Sequence, residues 1–97
     1  TSRRTASGGE EFAYNLQTRR RALVIGEVTW GGANPGGTFP LPAGLRIFVP
    51  TGRAINPITG TNWEGTGVVP DVQTDRERAF GTALERARIA AEYRRRR

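Results

Sequence analysis

Three short stretches of this chain hold residue types that could do chemistry. Ser7 stands directly before a helical pattern and is followed by Gly8 and Gly9. A serine at that place puts its Oγ at a helix N-terminus, where free amides and the helix dipole favour a developing oxyanion. Gly8 adds a backbone N–H that a substrate carbonyl could approach with no Cβ in the way. The same residues also describe an ordinary helix start. Ser7-Gly8-Gly9-Glu10 has the Ser-x-x-Glu spacing of a capping box, in which the serine accepts from an amide three residues on and the glutamate reaches back. Local sequence therefore reads Ser7 as a cap, the commoner use of the pattern, or as a nucleophile.

Glu64 is the second candidate. It sits in Asn62-Trp63-Glu64-Gly65-Thr66-Gly67, within a loop almost free of charge. A carboxylate there could orient or polarise a catalytic partner. It could equally be a solvated loop residue or the partner of Arg46 or Arg53. Trp30-Gly31-Gly32-Ala33 is the third. Glycine permits close backbone approach and Trp30 offers a flat apolar wall, as a substrate pocket needs; the plainer alternative is a turn with a packed tryptophan. Gly31-Gly32 is no phosphate loop, because the Gly-x-Gly-x-x-Gly spacing is absent.

Composition narrows the chemistry further. The 97 residues include no His, Cys, Met or Lys, and all 15 basic residues are Arg. There is no thiolate, no disulfide and no ordinary zinc site. A Ser-His-Asp triad cannot be completed within this chain, and neither a Schiff base nor a Ser-Lys dyad can form. No stretch reaches the roughly 18 apolar residues of a membrane span, and no secretory signal pattern is present. A net charge of +6 raises the question of a nucleic-acid partner. Its distribution argues against one: Arg19–Arg21 and Arg94–Arg97 fall where helices end and complement the helix dipole, without interleaved aromatics.

The elements that must position these residues follow from the patterning. Phe12, Ala13, Leu16 and Tyr14 give an apolar face to a helix running from the first capping box to about Arg19. Ala22-Leu23-Val24-Ile25 is a short apolar, β-branched run that predicts a buried strand. Thr38-Phe39 and Leu45–Pro50 read as two strands around a turn at Pro40–Gly44, with Leu45, Ile47 and Val49 on one face. Residues 51–71, rich in Gly, Pro, Asn and Thr, form a long loop ordered by turn chemistry and Trp63. Thr74-Asp75-Arg76-Glu77 is a second capping box, and Ala79, Phe80, Ala83, Leu84, Ala87 and Ala91 carry a helix over roughly 75–94. The order is α/β or α+β. The lone apolar strand wants parallel neighbours, so the chain reads as the second half of a domain.

Taken in order, Ser7-Gly8-Gly9-Glu10-Glu11-Phe12-Ala13, Arg21–Glu27, Thr29-Trp30-Gly31-Gly32 and Trp63–Val72 resemble the C-terminal half of the catalytic domain of the S41 serine peptidases. That family includes tail-specific proteases, the tricorn core protease and bacterial proteins related to the interphotoreceptor retinoid-binding protein. The last group looks nearest, through residues 10–17 and 52–57. The resemblance implies a ClpP/crotonase-like α/β fold, with residues 1–97 as the C-terminal segment of the catalytic domain. It implies Ser7 as nucleophile, Gly8 in the oxyanion hole, and Trp30, Gly31 and Gly32 beside the substrate.

Where tail-specific proteases place a Lys base, this chain has Gly32, so their Ser-Lys mechanism is excluded. The tricorn type uses a His upstream of the nucleophile, assisted by a Glu in a motif that Glu64-Gly65-Thr66-Gly67-Val68-Val69-Pro70-Asp71 matches, with Gly65 in place of Asn. Glu64 then orients a His that this chain does not contain. The expectation is a serine-type peptidase that needs no cofactor, is inactive as this chain alone, and has as partners a peptide or protein substrate and the upstream half of the domain or another copy. The alternative is a binding module on the same fold for an apolar ligand such as a retinoid or fatty acid, with Trp30, Phe39 and Phe48 along its site.

Overall fold

The computed structural model describes all 97 residues, Thr1–Arg97. Helix α1 spans Gly8–Thr18 and opens with Ser7 as its N-cap. It ends in a turn where Arg20 takes φ 53°, its amide donating to the Gln17 carbonyl and that of Arg21 to the Leu16 carbonyl. These two bonds make a Schellman closure with arginine at the position glycine usually occupies. The chain then extends into β1, Ile25–Gly26. Of the predicted strand at 22–25 only Ile25 lies in β1, because only the carboxyl end of the apolar run reaches the ladder.

That partner is β4, Val72–Gln73, which lies parallel to β1 with Ile25 opposite Val72. Asp71 fastens the pair. Its carboxylate accepts from the Val24 amide at 2.7 Å, and the Val24 carbonyl accepts from the amides of Asp71 and Val72. On the other side of β1, the Thr1 amino group donates to the Ile25 carbonyl at 2.7 Å and the Glu27 amide donates to the Thr1 carbonyl. Gly26 is glycine because a Cβ there would run into Thr1.

Strands β2, Gly36–Pro40, and β3, Arg46–Pro50, form a five-pair antiparallel hairpin. Its turn contains a short 3-10 helix at Pro42–Gly44. The alternation of Leu45, Ile47 and Val49 holds as strand geometry, but all three are exposed, as are Phe39 and Phe48. Helix α2, Arg76–Arg95, begins one residue later than the sequence pattern suggests. Asp75, not Thr74, is its N-cap, and accepts from the Arg78 amide at 2.9 Å. Aspartate at the cap adds its charge to the positive end of the helix dipole, a gain threonine cannot match. Arg94 and Arg95 lie in the last turn, as the dipole favours. No helix is long and apolar enough to cross a membrane.

The core is small. Its buried cluster is Val24, Trp63 and Val68, with Ala13, Tyr14, Ala33 and Ala54 packed against them. The chain measures 66 × 31 × 16 Å and has a radius of gyration of 17.3 Å, against about 13 Å for a compact domain of this length. Phe80 and Ile89 of α2, the hairpin and Phe12 of α1 all stay exposed. The apolar stripes that the sequence predicts are real, and most of them face outward, toward surfaces that further packing would cover.

What order the middle of the chain possesses comes from α1. Tyr14 stacks at a tilt on Trp63, with ring centroids 5.3 Å apart, and its hydroxyl bonds Thr61. Gln17 donates to the Val69 carbonyl. Asn56 is buried and fully used: its amide donates to Asn15 and Thr18 of α1, and its carbonyl oxygen accepts from the Ile58 and Thr59 amides. A buried amide satisfied on both sides fixes a loop as firmly as apolar packing does.

Candidate active site

The turn into α1 is where the backbone departs furthest from the ordinary. Ser7 has φ 50° and ψ −118°, a region that residues with a Cβ rarely enter and that costs about 1–3 kcal/mol. A sharp turn of this kind lifts the residue at its apex clear of the helix that follows, as in the nucleophile elbow of serine hydrolases. The Ser-x-x-Glu box is in place, but only its glutamate half is a well-formed bond. Glu10 Oε2 accepts from the Ser7 amide at 2.8 Å, while the Ser7 hydroxyl, although it faces the helix start, makes no side-chain cap hydrogen bond. The Ser7 oxygen is thus not committed to capping.

Gly8 follows with its amide donating to no acceptor in the chain, as first-turn helix amides do unless a cap or ligand takes them. A Cβ on Gly8 would meet nothing within 4 Å. The fold itself therefore does not require glycine there. Any requirement comes from something that approaches Gly8 from outside.

Ser7, Trp30, Gly31, Gly32 and Glu64 line one open cleft of about 960 Å³, closed on its far side by Phe48 and Pro50 of the hairpin. Five of the six residues singled out from sequence are thereby brought to one surface, with Gly8 next to it in the chain. Phe48 also reaches the cleft, but Phe39 lies outside it.

Glu64 is exposed and pairs with neither Arg46 nor Arg53. Its Oε2 accepts from the amides of Ala33 and Asn34 at 2.6 and 2.9 Å, and its own amide donates to Asn62 Oδ1. Those two backbone donors hold its carboxyl below the ordinary carboxylate pKa. With both on one oxygen, Oε1 is left without a partner in the chain, and it is available to a further donor.

Trp30 is 71% exposed, so it is a wall of the cleft and not a packed turn residue. Its ring lies against Gly32, where a Cβ would come within 2.5 Å of it. The tryptophan and the following glycine fit each other, and a side chain at 32 would displace the ring. The segments 29–34 and 62–68 are laced together beneath. Gly65 donates to the Gly31 carbonyl, Thr29 to that of Val68, and the Val68 amide to the Thr29 hydroxyl at 2.7 Å. Gly67, at φ 72°, presses its Cα against the Thr29 carbonyl, an approach and a conformation that only glycine allows.

Sequence reasoning passed over one residue of this assembly. Glu10 counted there only as the far end of a capping box, yet it is the most buried polar side chain, with none of its surface exposed. Its carboxylate accepts from five donors: the Ser7, Gly31 and Gly32 amides, the Thr29 hydroxyl and Trp63 Nε1–H. Burial opposes its charge and is the largest single influence. The donors from Thr29, Gly31, Gly32 and Ser7 together outweigh it and hold its pKa below the ordinary value of 4.5. The available signal was the position itself: an acidic residue three after a candidate nucleophile, and three and four before Ala13 and Tyr14, which share its face of the helix and pack on the core.

Comparison with known proteins places this arrangement. The profile of peptidase family S41 matches residues 1–74, and the chain belongs to that family. Among solved structures, a photosystem II D1 C-terminal processing protease superposes with a TM-score of 0.58 at 35% identity, over 73% of this chain. The chain spans 18% of that protease's length. The mixed α/β architecture here, two helices with a few short strands, is that of the C-terminal part of an S41 peptidase.

Proposed function

We propose that residues 1–97 carry the nucleophile and the orienting carboxylate of a serine peptidase, and that the general base comes from outside them. The observation that carries this reading is the Ser7 turn: a non-glycine residue held at φ 50°, ψ −118° at a helix N-terminus, beside an unbonded Gly8 amide and in one cleft with Glu64. Proteins keep such strain where the geometry is used. A site that only holds an apolar ligand has no use for it, which favours peptidase over the retinoid- or fatty-acid-binding alternative.

In this reading the base, a His by resemblance to the tricorn type, takes the Ser7 Oγ proton as Oγ bonds to the scissile carbonyl carbon. The carbonyl oxygen becomes an oxyanion and receives the Gly8 N–H. The base returns the proton to the amine nitrogen as the C–N bond breaks, leaving an acyl-serine and a free amine. Water, deprotonated by the same base, then releases the carboxylic acid and regenerates Ser7. Glu64 Oε1 accepts the imidazole N–H remote from Ser7, fixing the tautomer and stabilising the imidazolium. Its Oε2 is already anchored by Ala33 and Asn34, so the carboxylate does not swing as the charge moves. Trp30 and Phe48 give the cleft apolar walls for a peptide substrate.

A fluorophosphonate probe on the full-length protein tests this. Its phosphorus should bond to Ser7 Oγ with loss of fluoride, and peptide mapping should find the adduct on Ser7. Folded protein with no adduct at Ser7 refutes the assignment.

A further inference from the structure

Ser7 does not hold its own conformation; a buried neighbour does. Its backbone lies in the positive-φ region, its carbonyl accepts from the Glu11 amide as the helix begins, and the hydrogen bond that fixes the other side of the turn is from its amide to Glu10 Oε2. The same oxygen accepts from the Gly32 amide at 3.0 Å and from Trp63 Nε1 at 3.1 Å, while Oε1 accepts from the Thr29 hydroxyl at 2.6 Å and from the Gly31 amide. Three segments that line one cleft are thus mounted on one carboxylate: the nucleophile turn, the 29–32 wall, and the loop in which Trp63 precedes Glu64. Glu10 is wholly buried and touches none of the space a substrate would occupy.

We infer that Glu10 is a positioning residue, whose carboxylate sets the Ser7 turn in register with the opposite wall of the cleft and with the Glu64 loop. The inference rests on the reading of Ser7 as nucleophile. Ionised carboxylate is the one side chain that suits this place, because it accepts at both oxygens and donates at neither. In Glu10→Gln, either orientation of the amide turns an NH2 group toward a backbone N–H: Ser7 and Gly32 in one, Gly31 in the other. In Glu10→Asp the charge stays, but the side chain is one methylene shorter and cannot reach Ser7 and the Gly31-Gly32 amides together.

The experiment is the rate of fluorophosphonate labelling of Ser7 in full-length protein, for wild type, Glu10→Gln and Glu10→Asp. It is measured well below each variant's melting temperature and scaled to the folded fraction by circular dichroism. Displacing a nucleophile by about an ångström costs roughly a hundredfold in rate. Both variants should therefore label many-fold more slowly, with kcat for a peptide falling and KM little changed. Wild-type labelling rates in both folded variants overturn the inference and leave Ser7 as nucleophile. A slow Gln variant beside a fully active Asp variant also overturns it, because charge and not position would then be what matters. No labelling of wild type removes the nucleophile reading, and this inference with it.

Should neither variant fold, amide exchange in the unmutated protein decides. The Ser7 N–H, held by a buried carboxylate, should exchange on the order of a hundredfold more slowly than the unbonded Gly8 N–H beside it. Equal exchange overturns the inference.

Discussion

Replacing Ser7 by glycine should stabilise the protein, while replacing it by alanine should not. The two substitutions remove the same hydroxyl, so their difference isolates the backbone. At φ 50° and ψ −118°, a residue bearing a Cβ stores about 1–3 kcal/mol of strain. Alanine retains that strain; glycine releases it. Against this stands the extra freedom glycine loses on folding, about 0.5–1 kcal/mol. An N-cap serine usually contributes about 1 kcal/mol through its side chain. That contribution is absent here, because the Ser7 hydroxyl makes no cap bond, and the amide bond to Glu10 survives in both variants. Ser7→Ala should then be near neutral, and Ser7→Gly more stable than it by about 1 kcal/mol. With an m-value of about 2 kcal/mol/M, urea denaturation of the full-length protein should put the glycine midpoint roughly 0.5 M above the alanine one. Both variants should be inactive. A glycine midpoint at or below that of alanine would refute the claim that the turn is strained, and would remove the main structural support for Ser7 as nucleophile.

Other consequences test the neighbouring parts. Gly8→Ala meets open space in the fold, so it should leave the melting temperature within a few degrees; its N–H remains, but the new Cβ should keep a substrate carbonyl from it and lower kcat by up to about 10²–10³, the effect of losing one oxyanion donor. Loss of stability without loss of rate would contradict that role. Glu64→Gln keeps a carbonyl oxygen for the Ala33 and Asn34 amides but turns NH2 toward the base. Its kcat should fall by up to about 10⁴, as when a triad acid becomes an amide, and an unchanged kcat would remove Glu64 from the mechanism. Acid should destabilise the fold through Glu10. Its pKa is lowered on folding, so its contribution is present above the unfolded value and is lost as pH falls below about 4.5 and through the folded value. Urea midpoints across pH 6 to 3 should fall along that limb, and a flat profile would show that Glu10 is not held ionised.

The two capping boxes illustrate how much of this was readable beforehand. Both announced their helices to within a residue or two, because cap spacing is a local property of the chain. Neither announced what its side chains would do. Asp75 displaced Thr74 at α2 because a charge at the cap outweighs a hydroxyl, a difference that spacing alone cannot register. At α1 the box is half-used: Glu10 kept its reciprocal bond and gained four more from residues 29–63, none of which is near it in sequence. The apolar stripes were legible as elements and misleading as burial. Phe12, Phe80 and Ile89 lie on predicted inner faces and stay exposed, since periodicity marks which face is apolar and not whether anything packs on it. The strand predicted at 22–25 shortened and moved one residue on, because its ladder with β4 begins at Ile25 while the Val24 amide is taken by the Asp71 side chain.

The distribution of order follows from that shortage of apolar cover. A chain that buries three large apolar side chains cannot position a cleft by packing alone, and here polar bonds take over. Asn56 ties the 51–71 loop to α1, Asp71 ties β4 to the end of the apolar run, and Glu10 ties the Ser7 turn to both walls. Backbone amides supply the Asp71 bond to Val24 and three of the five Glu10 bonds, and mutation cannot simply remove them, while Asn56 reaches α1 through the side chains of Asn15 and Thr18. Such a network is costly to leave half-satisfied and stiff once complete. It holds a strained serine in place without asking the surrounding core to be large. For this part of the family S41 fold, variants at the exposed Phe80 or Ile89 should therefore leave the Ser7 turn intact, while variants at Glu10 should disturb the turn and lower the stability of the fold with it.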